Sequence, residues 1–358
     1  MLEWNGMKIV MAAGGTGGHI YPALTLAEAL QKRGHSVTFL GSNDRMEKDV
    51  IPGSGFEYIG MNVLTTRGGI LQKVRSVVSM FTAYLECRKR LKGYDMAIGF
   101  GNYISIPVML AAHSLHLKTV IHEQNSFVGR ANRLLDQKMD LVIGSYEENR
   151  SQFRNPNLKI LGNPQSSKAY LVEKDPNVLR EMGLDPSRKT VVIFMGSLGS
   201  SSVNEKLIDY FRLTDGSYQI VYATGPSHYE KMRSLVKDSD YLKVFERIDG
   251  VRVMKNADLL ICRAGATTLS EICAMGMPSI LIPSPFVPNN HQYFNGKALV
   301  DRDAAVMIEE KDLDGKRLYD TVEKMIHDED RLAALAENAR SMGNSNVLDD
   351  MIEAIEEL

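Results

Sequence analysis

The sequence has 358 residues, and at roughly 150 residues per domain it is expected to form about two domains. Hydrophobic residues at 44% and charged residues at 24% are ordinary globular proportions, which excludes a long disordered chain. Basic and acidic residues number 42 and 44, and a net charge of −2 excludes a protein that coats nucleic acid.

Nothing ahead of the first glycine loop reads as a signal peptide, and MLEWNG before Met7 is expected to be an extension without function. Cys87, Cys262 and Cys273 lack metal or redox spacing, so a reduced, cytosolic chain is expected. No apolar run approaches the roughly 18 residues of a membrane span.

Short apolar runs alternate with amphipathic stretches, as in βαβ units with parallel sheets. Strands are expected at Lys8–Ala12, Ser36–Leu40, Phe56–Gly60, Met96–Gly99, Thr119–His122 and Leu141–Gly144. A second series runs Thr190–Met195, Gln219–Tyr222, Leu242–Phe245, Leu259–Cys262, Ser279–Ile282 and Val306–Ile308. The polar, proline-containing stretch Asn155 to Lys189 separates them and marks the domain junction.

The first strand runs into Gly14-Gly15-Thr16-Gly17-Gly18-His19, ahead of a helix expected over Ala23–Lys32. Glycines allow a sharp turn and close backbone approach, and a helix start attracts anions. A tight turn without ligand is the alternative. Neither a nicotinamide fingerprint nor a triphosphate loop fits, since Ile20 replaces the third glycine and no Gly-Lys-Ser/Thr follows. His19 closes the loop, where the helix dipole favours a neutral ring able to take a proton; a purely structural histidine is the alternative.

The second series opens on a similar turn, VIFMGSLGSSS, and later carries DLLICRAGATTLSEICAMGMP. There Thr267, Thr268 and Ser270 flank a helix start fit for a diphosphate, with Glu271 ready to accept from a ribose diol. Ordinary helix capping explains the same residues. The loop SPFVPNNHQYFN offers His291 and Gln292 to sugar hydroxyls.

GGTGGHIYPAL, GSNDRMEKD, IHEQNSFVGRANR, LGNP, MGSLGS, CRAGATTLSEICAMGMPSILIP and NNHQYFN, in this order, resemble the MurG family from Met7 to about residue 340. The resemblance implies an α/β chain of GT-B fold, two Rossmann-like doubly wound domains facing a central cleft. Its domains would be 1–164, facing acceptor and membrane, and 165–340, binding UDP-sugar, with a helix in 341–358 returning to the first. It implies an inverting transfer of N-acetylglucosamine from UDP-N-acetylglucosamine to the 4-hydroxyl of the muramoyl group of lipid I, giving lipid II.

Carried over by motif, Thr16, Gly17 and Gly18 contact the donor, and Asn125 reaches its sugar. Ser197 approaches the diphosphate and Ile248 the uracil. Ala266, Thr267, Thr268, Leu269, Ser270 and Glu271 hold phosphate and ribose, and Gln292 binds the hexose. His19 is the candidate base, and Gly15, Tyr103, Arg263 and His291 are further candidates. The chain departs from the family at Asn102, where GGYxS is common, and at Ser166, where arginine is common; Arg263 is one candidate to compensate.

The string Asp238-Ser239-Asp240 mimics a metal motif but precedes a strand, so no cofactor and no obligatory metal are expected. Ile70, Leu71, Val74, Val77, Val78, Phe81, Tyr84 and Leu85 form a helical stripe beside Lys73, Arg75, Arg88, Lys89, Arg90 and Lys92. Because the resemblance calls for interfacial docking, a mixed role is expected, with part of the stripe exposed to an anionic membrane surface, giving a peripheral protein on the cytoplasmic side; packing of the stripe into its own domain is the alternative. The resemblance adds the cell-wall synthesis machinery as a partner. A UDP-N-acetylglucosamine 2-epimerase and a protein that binds UDP-sugar without turnover are the competing functions. Through Gln165 the chain carries 19 basic and 13 acidic residues, and the remainder 23 and 31, a basic half joined to an acidic one.

Overall fold

The structure, a computed structural model, describes residues 6–63, 70–196 and 199–358, with backbone alone for 70–74. The chain divides into two compact units, residues 1–165 with 346–358, and residues 166–345.

The first unit holds β1 (Lys8–Ala12), β2 (Ser36–Ser42), β3 (Glu57–Met61), β4 (Met96–Gly99), β5 (Lys118–Glu123), β6 (Leu141–Gly144) and β7 (Leu158–Ile160). All pair in parallel, in the order β3-β2-β1-β4-β5-β6-β7. Successive side chains of a strand point to opposite faces. In β1, Ile9 and Met11 enter one core while Val10 and Ala12 enter another on the far side of the sheet. β7 falls inside the stretch read as a polar junction. Its three half-buried residues, LKI, are too few to show a period, and pairing with β6 alone makes them a strand.

The second unit holds β8 (Thr190–Phe194), β9 (Gln219–Ala223), β10 (Leu242–Phe245), β11 (Leu259–Cys262), β12 (Ser279–Leu281) and β13 (Val306–Met307). They form a parallel sheet ordered β10-β9-β8-β11-β12-β13 around its own core.

Helix Val347–Glu356 belongs to the first unit. Val347, Met351, Ile352, Ala354 and Ile355 are buried in the same core as Ile9, Ile20 and Leu24. Burying a large apolar side chain is worth about 1.5–3 kcal/mol, against about 0–1 for an exposed ion pair. Apolar packing therefore holds this helix, and Arg33–Asp349 (3.1 Å) and Lys159–Glu357 (3.0 Å) trim its edge. Its acidic residues also revise the charge split. The first unit carries 19 basic and 18 acidic residues, the second 23 and 26, so neither unit as a whole is strongly charged.

The basic character is local. Helix Ile70–Arg90 buries Ser76, Ala83 and Cys87 and packs against helix Asn102–Ser114. These small residues let the helices approach closely and leave the larger apolar ones outside. Val77, Val78, Phe81 and Leu85 are 67, 57, 60 and 42% exposed, so this part of the stripe does not pack into its own domain. Phe81 stacks on half-buried Tyr84, and Arg75, Arg88, Lys89 and Lys92 are exposed nearby. The side chains of Ile70, Leu71, Lys73 and Val74 lie outside the described residues. Among the described residues no helix is long and apolar enough to cross a membrane.

Candidate active site

In open parallel sheets, ligands gather at the carboxyl ends of the strands where the strand order reverses. In the first unit that point lies between β1 and β4, in the second between β8 and β11. Each is flanked by two of the turns singled out from the sequence.

After β1, Gly14 and Gly15 lead to Thr16, the cap of helix Gly17–Lys32. The helix starts six residues earlier than expected and contains Pro22. Proline lacks the N–H that would bond the carbonyl four residues back, so Gly18 O has no such intrahelical donor. His19 consequently sits in the first helical turn, with its Nδ1 2.9 Å from Thr16 Oγ1. After β4, Gly101 (φ +79°) and Asn102 (φ +65°) begin helix Asn102–Ser114. A Cβ on Gly101 would lie 3.6 Å from His19 Cδ2 and 3.4 Å from Asn132 Nδ2, so this turn borders the imidazole. Asn102 occupies a left-handed conformation that suits glycine and, next best, asparagine, which accounts for both residues at this position. Tyr103 is half-buried, and burial pushes its phenol up.

After β5, the HEQN tract is organised by Glu123. Its Oε1 accepts from the N–H and Nδ2 of Asn125, both at 3.0 Å. Its Oε2 accepts from Gly129 N–H and Asn132 Nδ2, both at 2.9 Å. Burial pushes the Glu123 carboxyl up, and these hydrogen bonds pull it back. His122 is drawn down to about 4 by burial, hence neutral; its Nε2 is 2.9 Å from Gly162 O and its Nδ1 accepts from Gln124 Nε2 at 3.0 Å. Asn125 is thus held rigidly at the strand's end.

In the second unit, β8 leads to Gly196 and, beyond Ser197, to Gly199 and Ser200, the cap of helix Ser201–Leu213. Ser197 lies outside the described residues. After β11, Arg263 does not present its charge to a ligand. Its Nη2 lies 2.6 Å from Glu310 Oε2 and donates to Ser200 Oγ at 2.7 Å, while Nη1 donates to Ile282 O at 3.0 Å. Both side chains of the ion pair are 9% exposed. Arg263 therefore ties the two turns together and does not stand in for an arginine at Ser166, itself buried.

Helix Ala266–Met275 starts at Gly265, and the N–H groups of its first turn have no intrahelical acceptor. Thr267 Oγ1 is buried without a hydrogen-bond partner among the described residues. Two of the candidates face elsewhere. Ser270 Oγ donates to Thr267 O at 2.7 Å. Leu269 is fully buried and gives its N–H to Gly265 O, because the helical period turns position 269 into the core. Ala266 is nearly buried and Thr268 half-exposed. Burial, then the Asp249 carboxylate, push Glu271 up to about 7. Ile248 is half-buried, between β10 and Asp249, the cap of helix Gly250–Met254.

His291 and Gln292 open helix His291–Val300 instead of standing in a loop; left-handed Asn289 and Asn290 make the turn before it. Gln292 Oε1 accepts from Ser284 N–H at 2.8 Å, leaving its amide nitrogen to donate. His291 Nδ1 meets Pro288 O at 2.9 Å, and burial draws the ring down. Asp238-Ser239-Asp240 forms a turn leading into the amino end of β10, where Asp238 and Ser239 accept from the N–H groups of Val244 and Leu242. Glu47 and Glu310 escaped the sequence reading because they act on partners remote in sequence, Gly15 and Arg263; Glu123 and Asn132 bond within one short tract, but only the folded loop shows those contacts.

The N-terminal and C-terminal domain patterns of glycosyltransferase family 28 match residues 9–143 and 190–351. A relative from Caldanaerobacter subterraneus subsp. tengcongensis is 36% identical over 95% of this chain and 96% of its own. One from Bacillus subtilis is 33% identical over 98% and 99%. Both are named UDP-N-acetylglucosamine–N-acetylmuramyl-(pentapeptide) pyrophosphoryl-undecaprenol N-acetylglucosamine transferase. The chain belongs to the MurG family of glycosyltransferases. MurG of Acinetobacter baumannii superposes with a TM-score of 0.83 at 26% identity, covering 98% of this chain and all of that one. The two parallel-sheet units are those of the GT-B fold. A UDP-N-acetylglucosamine 2-epimerase from Listeria monocytogenes, described as putative, shares the fold alone, with 12% identity, a TM-score of 0.71 and coverage of 98% and 96%. Fold does not separate transferase from epimerase; the full-length identity to transferases does.

Proposed function

We propose that this enzyme transfers N-acetylglucosamine from UDP-N-acetylglucosamine to the muramoyl 4-hydroxyl of lipid I, inverting the anomeric centre and releasing UDP. Full-length identity to transferases of that name carries the reading. The chemistry of the two units supports it.

His19 acts as general base. In the tautomer that directs the Nδ1 proton to Thr16 Oγ1, Nε2 is the basic nitrogen that takes the proton of the attacking hydroxyl. Thr16, Gly17 and Gly18 of this turn, with Asn125 at the end of β5, serve the sugar end of the donor. In the second unit, the start of helix Ala266–Met275, with Thr267, Thr268 and the turn carrying Ser197, receives the diphosphate and stabilises the charge that grows on it as the glycosidic bond breaks. Glu271 accepts from the ribose diol, Ile248 lies against the uracil, and Gln292 donates to the hexose. No metal is required in this scheme.

The enzyme works as a peripheral protein at the cytoplasmic face of the membrane, where lipid I presents its head group. The exposed Val77, Val78, Phe81 and Leu85, with basic residues beside them, favour this attachment. Incubating enzyme, labelled donor and a lipid I analogue in EDTA tests the proposal. The expected product is the β-linked disaccharide lipid with no sugar released from donor alone. Dependence on added Mg²⁺ would overturn the metal-free scheme, and N-acetylmannosamine formed from donor alone would overturn the transferase.

A further inference from the structure

Between Gly14 and Gly15 runs one peptide plane, and both of its polar atoms are held by side chains from other elements. Its carbonyl, Gly14 O, accepts from Asn102 Nδ2 at 2.9 Å. Its N–H, on Gly15, donates to Glu47 Oε2 at 3.0 Å. Peptide planarity makes these two contacts fix a single rigid body. The next residue is Thr16, whose hydroxyl meets His19 Nδ1.

Both holders are themselves immobilised. Glu47 is fully buried, and its Oε1 accepts from Ser42 N–H (3.2 Å) and Ser42 Oγ–H (2.5 Å). It occupies the room left by a missing side chain, since a Cβ on Gly14 would lie 2.4 Å from Oε1. Asn102 is fixed by Tyr103 N–H, which donates to its Oδ1 at 2.6 Å. A Cβ on Gly15, whose φ is +87°, would fall 1.9 Å from Asn102 Nδ2. The glycines of this turn thus make room for a carboxylate on one side and a carboxamide on the other.

We propose that Glu47 and Asn102 are positioning residues that clamp the Gly14–Gly15 peptide and so hold Thr16 and the imidazole of His19 in reacting geometry. The proposal rests on the reading of His19 as base. It also gives Asn102 a purpose: its side chain supplies a contact to the loop that glycine there cannot make. A base displaced by about 1 Å loses on the order of a hundredfold in rate, so the clamp acts on kcat rather than on nucleotide binding in the other unit.

The test compares Glu47→Gln, Asn102→Gly, His19→Ala and the Glu47→Gln/His19→Ala double variant, reading kcat, the KM for donor, UDP affinity and thermal melting. Glutamine keeps the shape of Glu47 but must turn an N–H toward Gly15 or Ser42. Glycine accepts the positive φ of residue 102 without strain. The expected result is a fall in kcat of about tenfold to a hundredfold for Glu47→Gln and about threefold to tenfold for Asn102→Gly, scaled from the cost of lost hydrogen bonds. UDP affinity should stay near wild type, and the double variant should be no slower than His19→Ala alone. Wild-type kcat in Asn102→Gly and in folded Glu47→Gln, with His19→Ala inactive, would overturn the clamp alone. A further loss in the double variant would equally overturn it. Full turnover in His19→Ala would remove the base reading and the clamp's purpose together.

Discussion

The two strand-order reversals are built alike and display different groups. In each unit a side chain crosses from the turn after one central strand to the turn after the other: Asn102 to Gly14 O in the first, Arg263 to Ser200 Oγ in the second. Beneath each lies a buried carboxylate, Glu47 or Glu310, reached from a different part of the chain. What the turns display differs. The first presents an imidazole in a helical first turn, a group that can move a proton. The second presents backbone N–H groups, a Thr267 hydroxyl without a hydrogen-bond partner among the described residues, and the raised Glu271. One glycine-turn architecture thus displays different groups in the two units, and the proposed function gives proton transfer to the first and donor binding to the second.

Removing the inner support of the second turn should produce the largest effect on stability. Arg263→Met leaves the Glu310 carboxylate buried without its ion-pair partner, a loss on the order of 3–5 kcal/mol. Urea unfolding would measure it, and Arg263→Met/Glu310→Met should recover much of the loss. A single variant as stable as wild type would mean that the pair does not hold this turn.

A smaller effect concerns Glu271. Its carboxyl sits near 7 because burial and Asp249 disfavour the charge, whereas a ribose diol is best received by the ionised form. UDP should therefore bind more weakly as pH falls through about 7, by about tenfold between pH 8 and pH 6, releasing a proton on binding at neutral pH. Calorimetry in buffers of different ionisation enthalpy would detect that proton. Glu271→Gln should flatten the pH profile, and an unchanged slope would remove Glu271 from the diol.

The smallest effect lies away from both turns. Val78→Ser with Phe81→Ser should weaken sedimentation with anionic vesicles at low salt while sparing turnover of a short-chain soluble acceptor. Each nearby cation adds only about 1 kcal/mol, so the retained basic residues would leave partial binding. Wild-type sedimentation by the double variant would move the membrane face elsewhere.

What the sequence made legible follows the range of the interactions. The parallel-sheet pattern, the glycine turns and the helix over 70–90 are written in local periodicity and turn residues, and they stand in the fold. Glu47 looks like one more charge in a polar stretch, because its partners Gly15 and Ser42 are joined only by the folded sheet. Arg263 reads as a phosphate ligand until Glu310, 47 positions later, is brought against it. Leu269 sits within a binding motif, yet the helical period faces it inward. Three residues of β7 carry no period, so pairing with β6 alone reveals them.

The division between a reacting turn and a binding turn is tested most directly by turnover of His19→Ala at saturating donor and lipid I analogue. The account predicts a fall of about a hundredfold to ten-thousandfold, the usual worth of a general base, in an enzyme that still binds UDP as tightly as wild type. Turnover within a few-fold of wild type would contradict it.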